Sequence, residues 1–297
     1  MTEALATSTV GAACALGSAL TWTLISLLVR ALSAQFTSVS INVIRSAAGG
    51  ALAGLLALAW NGTATLRGVT LEASVYMAAS TVAGFGVGDS TFFESTRHLG
   101  LARALTVSMT YPLVAAGLAL LVLGEPLTPR MVTGALVTLG GLAIIVGERT
   151  PHPDAARSLA RGVALALVAA AGWAAGALLM KPALRVVDPV TAQALRLPLA
   201  ALVLYVTPWA RGTTRSLRAH ARASGALIAL LSALTALSSV LFVTALKYAG
   251  VGVATVLSST APLFAIPIGF VAFREAVTWR ATAGAALCVA GIAILTL

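Results

Sequence analysis

Three ionisable side chains fall inside long apolar stretches of this 297-residue sequence, and they are the residues best suited to chemistry. Asp89 lies in the stretch GFGVGDSTFFE, and Arg45 and Arg196 lie in two other apolar runs. At the centre of a membrane helix each costs about 2.5–3.5 kcal/mol on insertion scales, so each needs a compensating interaction. A carboxylate and two guanidinium groups in such positions indicate a site for a polar solute, a proton relay or a buried ion pair.

Asp89 shares one helical face with aromatic and hydroxyl side chains. Phe92, Phe93 and Thr96 follow it at spacings that place them on adjoining rows of a helix. Such a face suits an organic solute with an amine. Two interpretations stay open: Asp89 handles substrate or protons, or it forms a structural ion pair with Arg45 or Arg196.

The two arginines have similar surroundings. Each follows a side-chain amide three residues earlier, Asn42 before Arg45 and Gln193 before Arg196. Each lies about 12 Å into its helix at 1.5 Å per residue, too deep to reach the lipid headgroups without snorkelling. The arginines could bind a substrate carboxylate bidentately, or they could hold neighbouring helix ends and carbonyls together.

The elements that must position these residues follow from composition. Hydrophobic residues make up 59% of the chain and charged residues 9%, too few to cover a water-facing surface. The apolar stretches are each long enough to cross a membrane as a helix, and they do not alternate as barrel strands would. We therefore predict an all-α membrane protein with ten transmembrane helices. The predicted spans are 10–31, 37–60, 73–97, 101–123, 129–147, 161–182, 189–209, 224–247, 251–273 and 279–297.

The second half of the chain repeats the first. At an offset of 151 residues Gly11, Trp22 and Arg45 match Gly162, Trp173 and Arg196. At an offset of 150 the matches include Phe92 with Phe242, Ser108 with Ser258, Pro112 with Pro262 and Glu125 with Glu275. Residues 1–150 and 151–297 are thus predicted to be two five-helix repeats. Because five is odd, the second copy enters the membrane from the opposite side, which makes the repeats inverted, as in many secondary transporters.

The copies differ at the acidic residue. The positions that correspond to Asp89 hold Ser239 and Val240, so Asp89 has no acidic counterpart. Asymmetry of this kind marks Asp89 as a candidate for function.

The fourth and ninth spans are predicted to be broken and lined with hydroxyl groups. Pro112 and Pro262 interrupt them, beside Ser108 and Tyr111 in one copy and Ser258 in the other. These helices are our candidates for the walls of a pore, although the prolines could also serve as packing kinks alone. Trp22 and Trp173 lie in mid-helix, where they could line a cavity or pack in the core.

A charged turn recurs between the last two spans of each copy, GEPLTPR at 124–130 and REAVTWR at 274–280. Thr128 and Thr278 stand where a helix begins. Glu125 and Glu275 are therefore expected to fix the turn at the membrane surface, with gating as the alternative role.

These motifs together resemble the drug/metabolite transporter superfamily, and within it the ten-helix EamA-type transporters. The resemblance rests on GSALTW and AAAGW in the first helix of each copy, the arginine of the second, TYPL and TAPL in the fourth, and the repeated turn. It covers the whole chain. It implies a transporter that exports or imports small metabolites, often amino acids or related solutes. The inverted repeats favour alternating access, and we expect efflux across a bacterial inner membrane, with protons as the candidate coupling ion.

Other classes of function fit less well. His98, His152 and His220 all lie near links, and neither a paired-histidine motif nor a nucleophile elbow occurs, so we expect no enzyme, no metal site and no cofactor. The net charge of +10 lies in the links, where anionic lipid headgroups explain it better than nucleic acid does. A membrane scaffold or sensor that transports nothing is the alternative.

Overall fold

The computed structural model describes residues 2–62, 68–115, 118, 129–146, 153–273 and 278–296, and these residues form helices and turns without a strand. In the first half the helices are α1 (Thr2–Leu32), α2 (Ser38–Asn61), α3 (Leu71–Thr81), a π-helical segment (Val82–Asp89), α4 (Ser90–Leu99), α5 (Leu101–Ser108) and α6 (Pro129–Val146). In the second half they are α7 (Pro153–Ala183), α8 (Pro189–Tyr205), a short 3-10 helix (Pro208–Ala210), α9 (Thr213–Tyr248), α10 (Gly250–Ser258), α11 (Ala261–Phe273) and α12 (Trp279–Thr296).

Several of these helices can cross a membrane unaided. In the described residues four are long and apolar enough, namely Thr9–Leu32, Ser38–Trp60, Arg157–Ala183 and Arg222–Tyr248. A fifth candidate is the bent pair Pro189–Tyr205 and Pro208–His220, whose axes meet at 88°. Shorter apolar helices follow at Val132–Gly141, Val253–Ala265 and Trp279–Ile294. The prediction of an all-helical protein with many membrane spans is confirmed.

Equivalent helix starts use equivalent caps. Thr37 accepts a hydrogen bond from the backbone N–H of Ser40 at 3.1 Å and begins α2. Asp188, its counterpart 151 residues later, accepts from the N–H groups of Val190 and Thr191 at 3.0 Å each and begins α8. Side-chain acceptors of this kind satisfy backbone donors that a helix start leaves unpaired.

The fourth and ninth spans are broken as predicted. In each copy two residues in a turn separate the two helical pieces, 109–110 in the first copy and 259–260 in the second. Pro112 and Pro262 are each the second residue of the piece that follows the turn. A proline fits the first turn of a helix because its missing N–H has no partner to lose there.

The third span contains a π-helical segment where glycines meet a neighbouring helix. A methyl group on Gly88 would lie 2.5 Å from Cδ1 of Trp173 in α7. A methyl group on Gly176 of α7 would lie 3.1 Å from the Cα of Gly84. The glycines therefore let α7 approach the backbone of the third span, and the π segment ends at Asp89.

Equivalent helices of the two repeats pack against each other in opposite directions. In α6 and α12, a methyl group on Gly141 would lie 2.6 Å from the carbonyl oxygen of Gly284, and one on Gly291 would lie 2.7 Å from that of Gly134. Residue numbers thus increase in opposite directions along the two helices, which are antiparallel. In α2 and α8, likewise, Gly50 contacts Pro198 whereas the earlier Val43 clusters with the later Leu204. Antiparallel counterparts establish that the repeats are inverted.

Pairs between non-equivalent helices obey the same symmetry. Gly11 of α1 packs against Ala249 at the end of α9, and its counterpart Gly162 of α7 packs against Leu99 at the end of α4. These two contacts are therefore copies of each other across the two repeats.

The repeated turns lie largely outside the described residues. Glu125 and Glu275 both fall there, so their predicted role in fixing the turn remains a prediction. Thr278 is described, and its hydroxyl accepts a hydrogen bond from the N–H of Ala281 at 3.2 Å, as expected for a residue that starts α12.

Candidate functional site

A cavity of about 130 Å³ lies between the two halves, and both contribute to its walls. Its charged residues are Arg45, Asp89 and Arg196. Five aromatic residues line it, namely Trp22, Phe85, Tyr111, Trp173 and Phe242. Its uncharged polar residues are Ser18, Gln193, Thr235, Ser238, Ser239 and Ser258. An apolar, aromatic wall with a few polar groups is typical of small-molecule sites.

Asp89 forms an ion pair with Arg45 in the wall of this cavity. Nη2 of Arg45 donates to Oδ2 of Asp89, and both side chains are nearly inaccessible to solvent. Nε1 of Trp173 donates to the other carboxylate oxygen at 2.7 Å. The carboxylate is thus held by one side chain from its own repeat and one from the other. The structure thus contains the ion pair that the sequence allowed, with Arg45 as the partner, and a role of Asp89 in handling substrate or protons remains a prediction.

Further contacts of Arg45 fix its guanidinium group. Nε donates to Oδ1 of Asn42 at 3.1 Å, as the spacing of three residues suggested. The ring centroids of Phe93 and Trp22 lie 4.9 and 5.5 Å from its Cζ. Hydrogen bonds and ring faces therefore surround this buried cation.

Arg196 has a different environment. Its Nη2 donates to the hydroxyl of Ser80 at 2.8 Å, and its Cζ lies 5.2 Å from the ring centroid of Phe85. Its Nε is buried without a hydrogen-bond partner. The nearby amide of Gln193 donates to the carbonyl of Ser239 at 3.1 Å, while its own oxygen has no partner.

Aromatic rings separate the cavity from one face of the bundle. The Trp22 ring lies 5.6 Å from that of Phe92, 5.9 Å from that of Phe93 and 5.4 Å from that of Trp173. Both phenylalanines are fully buried. They belong to α4, the part of the third span that leads to the face described next.

The two faces differ in their basic residues. On one, Arg97 donates to the carbonyl of Phe36 at 2.8 Å and His98 bonds Ser158 at 3.0 Å. We call this the arginine-rich face, formed by residues 33–38, 94–100, 157–162 and 210–224. The opposite face is formed by residues 68–70, 181–189 and 247–250, where Lys247 donates to the carbonyl of Val187 at 3.3 Å.

The cavity extends toward the opposite face. Helix α9 runs from the arginine-rich face to the opposite face, and it lines the cavity only from Thr235 to Leu246. Helix α7 runs the same way and lines the cavity from Trp173 to Met180. The cavity is thus closed toward the arginine-rich face by the aromatic rings.

Comparison with known proteins identifies the family. The family model described as "EamA-like transporter family" matches residues 9–147 and again residues 160–297. The chain belongs to this family. EamA-like proteins are membrane transporters of small solutes, so the family resemblance read from the sequence is confirmed.

This EamA-like chain is also similar to individual proteins. It is 26% identical over 230 residues to an uncharacterized transporter of Archaeoglobus fulgidus, a match that covers 77% of this chain and 78% of the relative. It is 33% identical over 139 residues to an uncharacterized protein of Pseudomonas aeruginosa, and there it spans 47% of this chain and 46% of the relative. A solved crystal structure, described only as that of a protein, matches with a TM-score of 0.63 at 19% identity, covering 98% of this chain and 96% of that one. That structural match supports the overall fold alone.

Most of the predicted site residues meet at the EamA cavity. Seven of them line it: Trp22, Arg45, Asp89, Tyr111, Trp173, Arg196 and Ser258. Phe92, Phe93 and Ser108 are buried outside it, because α4 and α5 turn these side chains into the helix contacts. Pro112 and Pro262 are buried at the breaks of their helices.

Sequence reasoning missed Phe85, Thr235 and Phe242 in the EamA cavity. A signal for Phe242 was present, because it is the repeat counterpart of Phe92. Phe85 lies between two glycines in a segment whose π geometry depends on α7, so local spacing gave no sign of its direction.

Proposed function

We propose that the chain is a secondary transporter that moves small organic solutes across the cell membrane by alternating access. The observation that carries this proposal is a cavity between two inverted repeats, with an aromatic wall and buried charges from both repeats. A site on the axis of an inverted pair can face either side when one repeat rocks against the other. A scaffold or sensor does not need a site that can open to both sides of the membrane.

The proposed motion exchanges equivalent contacts. In this conformation Phe92 packs against Trp22 and Trp173, whereas its counterpart Phe242 lines the cavity and is only half-buried. In the opposite conformation Phe242 would pack against the two tryptophans and Phe92 would line the cavity. The two rings thus serve as gates of the two faces.

Transport also needs an energy source and a direction. The sequence holds no nucleotide-binding loop, so the gradient of an ion or of the solute drives transport. Protons are the proposed coupling ion, with Asp89 as the proton-binding group, because protonation would release Arg45 from its ion pair. The proposed direction is efflux, the proposed membrane is a bacterial inner membrane, and the proposed solutes are amino acids or related metabolites.

Flux through proteoliposomes tests the proposal. The hydroxyl oxygens of Ser40 and Thr213 lie 2.8 Å apart at the arginine-rich face and join the two repeats. In a background without Cys14 and Cys288, cysteines at these two positions are expected to form a disulfide that holds that face closed.

The expected result is flux of labelled metabolites that the disulfide stops and that a reductant restores. Each single-cysteine variant serves as a matched control, because it cannot form the cross-link and should transport in both conditions. Full flux through the oxidised double variant would contradict alternating access. No flux of any metabolite in a screen of the folded protein would favour a scaffold or sensor instead.

A further inference from the structure

The cavity has two halves, each with an arginine of one repeat and a tryptophan of the other, and only the first half contains a carboxylate. In the first half Arg45 and the indole N–H of Trp173 together hold the carboxylate of Asp89. The repeat counterparts of Arg45, Trp173 and Asp89 are Arg196, Trp22 and Ser239. All three counterparts line the same cavity, so the second half repeats the donors but not the acid.

The donors of the second half are left without partners. Nε1 of Trp22 and Nε of Arg196 are both buried and make no hydrogen bond, although their residues face the cavity. A buried polar atom without a partner is uncommon and costs about 1–3 kcal/mol, which calls for an explanation. In the first half the indole of Trp173 donates to Asp89 and Nε of Arg45 donates to Asn42, so both kinds of donor have an acceptor there. In the second half an acceptor from solution can serve the indole of Trp22 and the guanidinium of Arg196.

The charge of the cavity points the same way. Two guanidinium groups and one carboxylate leave it with one net positive charge among the described side chains. A buried cation without a counter-ion is unfavourable, and an anion bound from solution compensates it. A cationic solute would add to the net positive charge of the cavity. It would also find no free carboxylate, since Asp89 already accepts from Arg45 and Trp173.

A third unpartnered atom adds a detail. The side-chain oxygen of Gln193 is buried without a donor, and it lies one helical turn from Arg196 on α8. An acceptor so close to the cation suits a solute with a hydroxyl group next to its carboxylate. The surrounding rings, Trp22 and Phe85 among them, suit an apolar body.

We propose that the cargo is a small organic monoanion, a 2-hydroxy acid with an apolar body, whose carboxylate binds between Arg196 and Trp22 in the place that corresponds to Asp89 in the other repeat. The proposal rests on the transporter function proposed above and narrows its solutes. The hydroxyl group donates to Gln193, and the net charge of the occupied cavity is zero.

Binding to the purified full-length protein tests the proposal without requiring flux. The probes are mandelate, mandelamide and phenylalanine, which share a phenyl ring but are an anion, a neutral amide and a zwitterion. Isothermal titration calorimetry in detergent micelles gives the dissociation constants. We expect mandelate to bind at least about tenfold tighter than either of the other two, because only it neutralises the cavity and uses both donors.

Substitutions of Ser239 distinguish the effect of a negative charge at this position from the effect of side-chain size. Ser239→Asp supplies an internal carboxylate to Arg196 and Trp22, so mandelate affinity should fall by about tenfold or more. Ser239→Asn has nearly the same size without the charge and should stay within about threefold of the parent protein. Arg196→Gln should remove the preference for mandelate over mandelamide, and thermal unfolding verifies that each variant is folded.

The inference is overturned if mandelate shows no advantage over the other probes, if no probe binds, or if folded Ser239→Asp binds mandelate as the parent does. The proposal of transport and the proposal of an anion site can be refuted independently. Selective mandelate binding without flux in vesicles would refute the transporter and leave the anion site, whereas flux of solutes without a preference for acids would do the reverse.

Discussion

The buried pair of Arg45 and Asp89 makes a quantitative prediction about stability. Replacing Asp89 with asparagine keeps the size of the side chain and an acceptor for Trp173, but it removes the negative charge. Arg45 then remains at 1% exposure with no carboxylate beside it. Removing one partner of a buried ion pair costs about 3–5 kcal/mol, because the other charge stays buried without compensation.

The surroundings of Arg45 place the expected loss at the lower end of that range. The amide oxygen of Asn42 and the rings of Phe93 and Trp22 remain in place, and each stabilises the cation to some degree. The cavity of about 130 Å³ beside the pair is also large enough to hold water. We expect Asp89→Asn to lower the free energy of unfolding by about 3 kcal/mol.

A double-mutant cycle isolates the ion pair. Arg45→Gln alone leaves Asp89 buried with one donor, so it should cost a similar amount. The double variant has no buried charge at this position and should be less destabilised than the sum of the single variants by about 2 kcal/mol or more. Unfolding by sodium dodecyl sulfate in mixed micelles gives the three free energies.

The surface ion pair of Glu94 with Arg97 provides the matched control. Its atoms lie 3.5 Å apart and its side chains are about one third exposed, so Glu94→Gln should cost less than about 1 kcal/mol. The reasoning is refuted if Asp89→Asn costs as little as this control. It is also refuted if the effects of Arg45→Gln and Asp89→Asn simply add.

Three further predictions follow from the same structure. If Asp89 binds the coupled proton, folded Asp89→Asn should lose the pH dependence of flux that the parent shows in vesicles, and an unchanged pH profile would remove Asp89 from coupling. Gly141→Leu should destabilise the protein by about 1–3 kcal/mol, because its Cβ would lie 2.6 Å from the carbonyl oxygen of Gly284. A Cβ at the neighbouring Gly140 would meet no atom within 4 Å, so Gly140→Leu should be nearly neutral, and equal unfolding free energies of the two variants would contradict the contact between α6 and α12. In a background without native cysteines, Phe242→Cys should react with a water-soluble maleimide while Phe92→Cys should be protected, and equal labelling rates would argue against a cavity that reaches the opposite face.

Hydropathy and duplication made much of the fold predictable. Apolar runs mark membrane helices because lipid cannot satisfy an exposed backbone, and that rule is local to each run. An odd number of spans per copy implied inversion, and the antiparallel contacts of Gly141 with Gly284 and of Gly50 with Pro198 confirm it. The pairing of Asn42 with Arg45 was equally local, since three residues make almost one helical turn.

The finer features of the site depend on contacts that no local pattern contains. The π segment depends on the indole of Trp173, which packs against Gly88 from another repeat. The partner of Asp89 could not be chosen from the sequence, because Arg45 and Arg196 occupy equivalent depths in equivalent helices. Phe93 shares a helical face with Asp89, yet it faces Arg45 and Trp22 behind the cavity and does not line it.

Duplication built two equivalent donor pairs, and a single acidic residue made them unequal, which leads to a final prediction. Exchanging the two residues, as Asp89→Ser with Ser239→Asp, should move the internal ion pair from Arg45 to Arg196 and from Trp173 to Trp22. The net charge of the cavity does not change, so a preference for mandelate over mandelamide should persist in the folded double variant. The arginine on which the mandelate preference depends should also change. Arg45→Gln should now remove the preference, and Arg196→Gln should instead disrupt a structural ion pair. If the exchanged protein folds and mandelate selectivity still follows Arg196, the two donor pairs are not equivalent, and the argument from repeat symmetry to an anionic cargo is wrong.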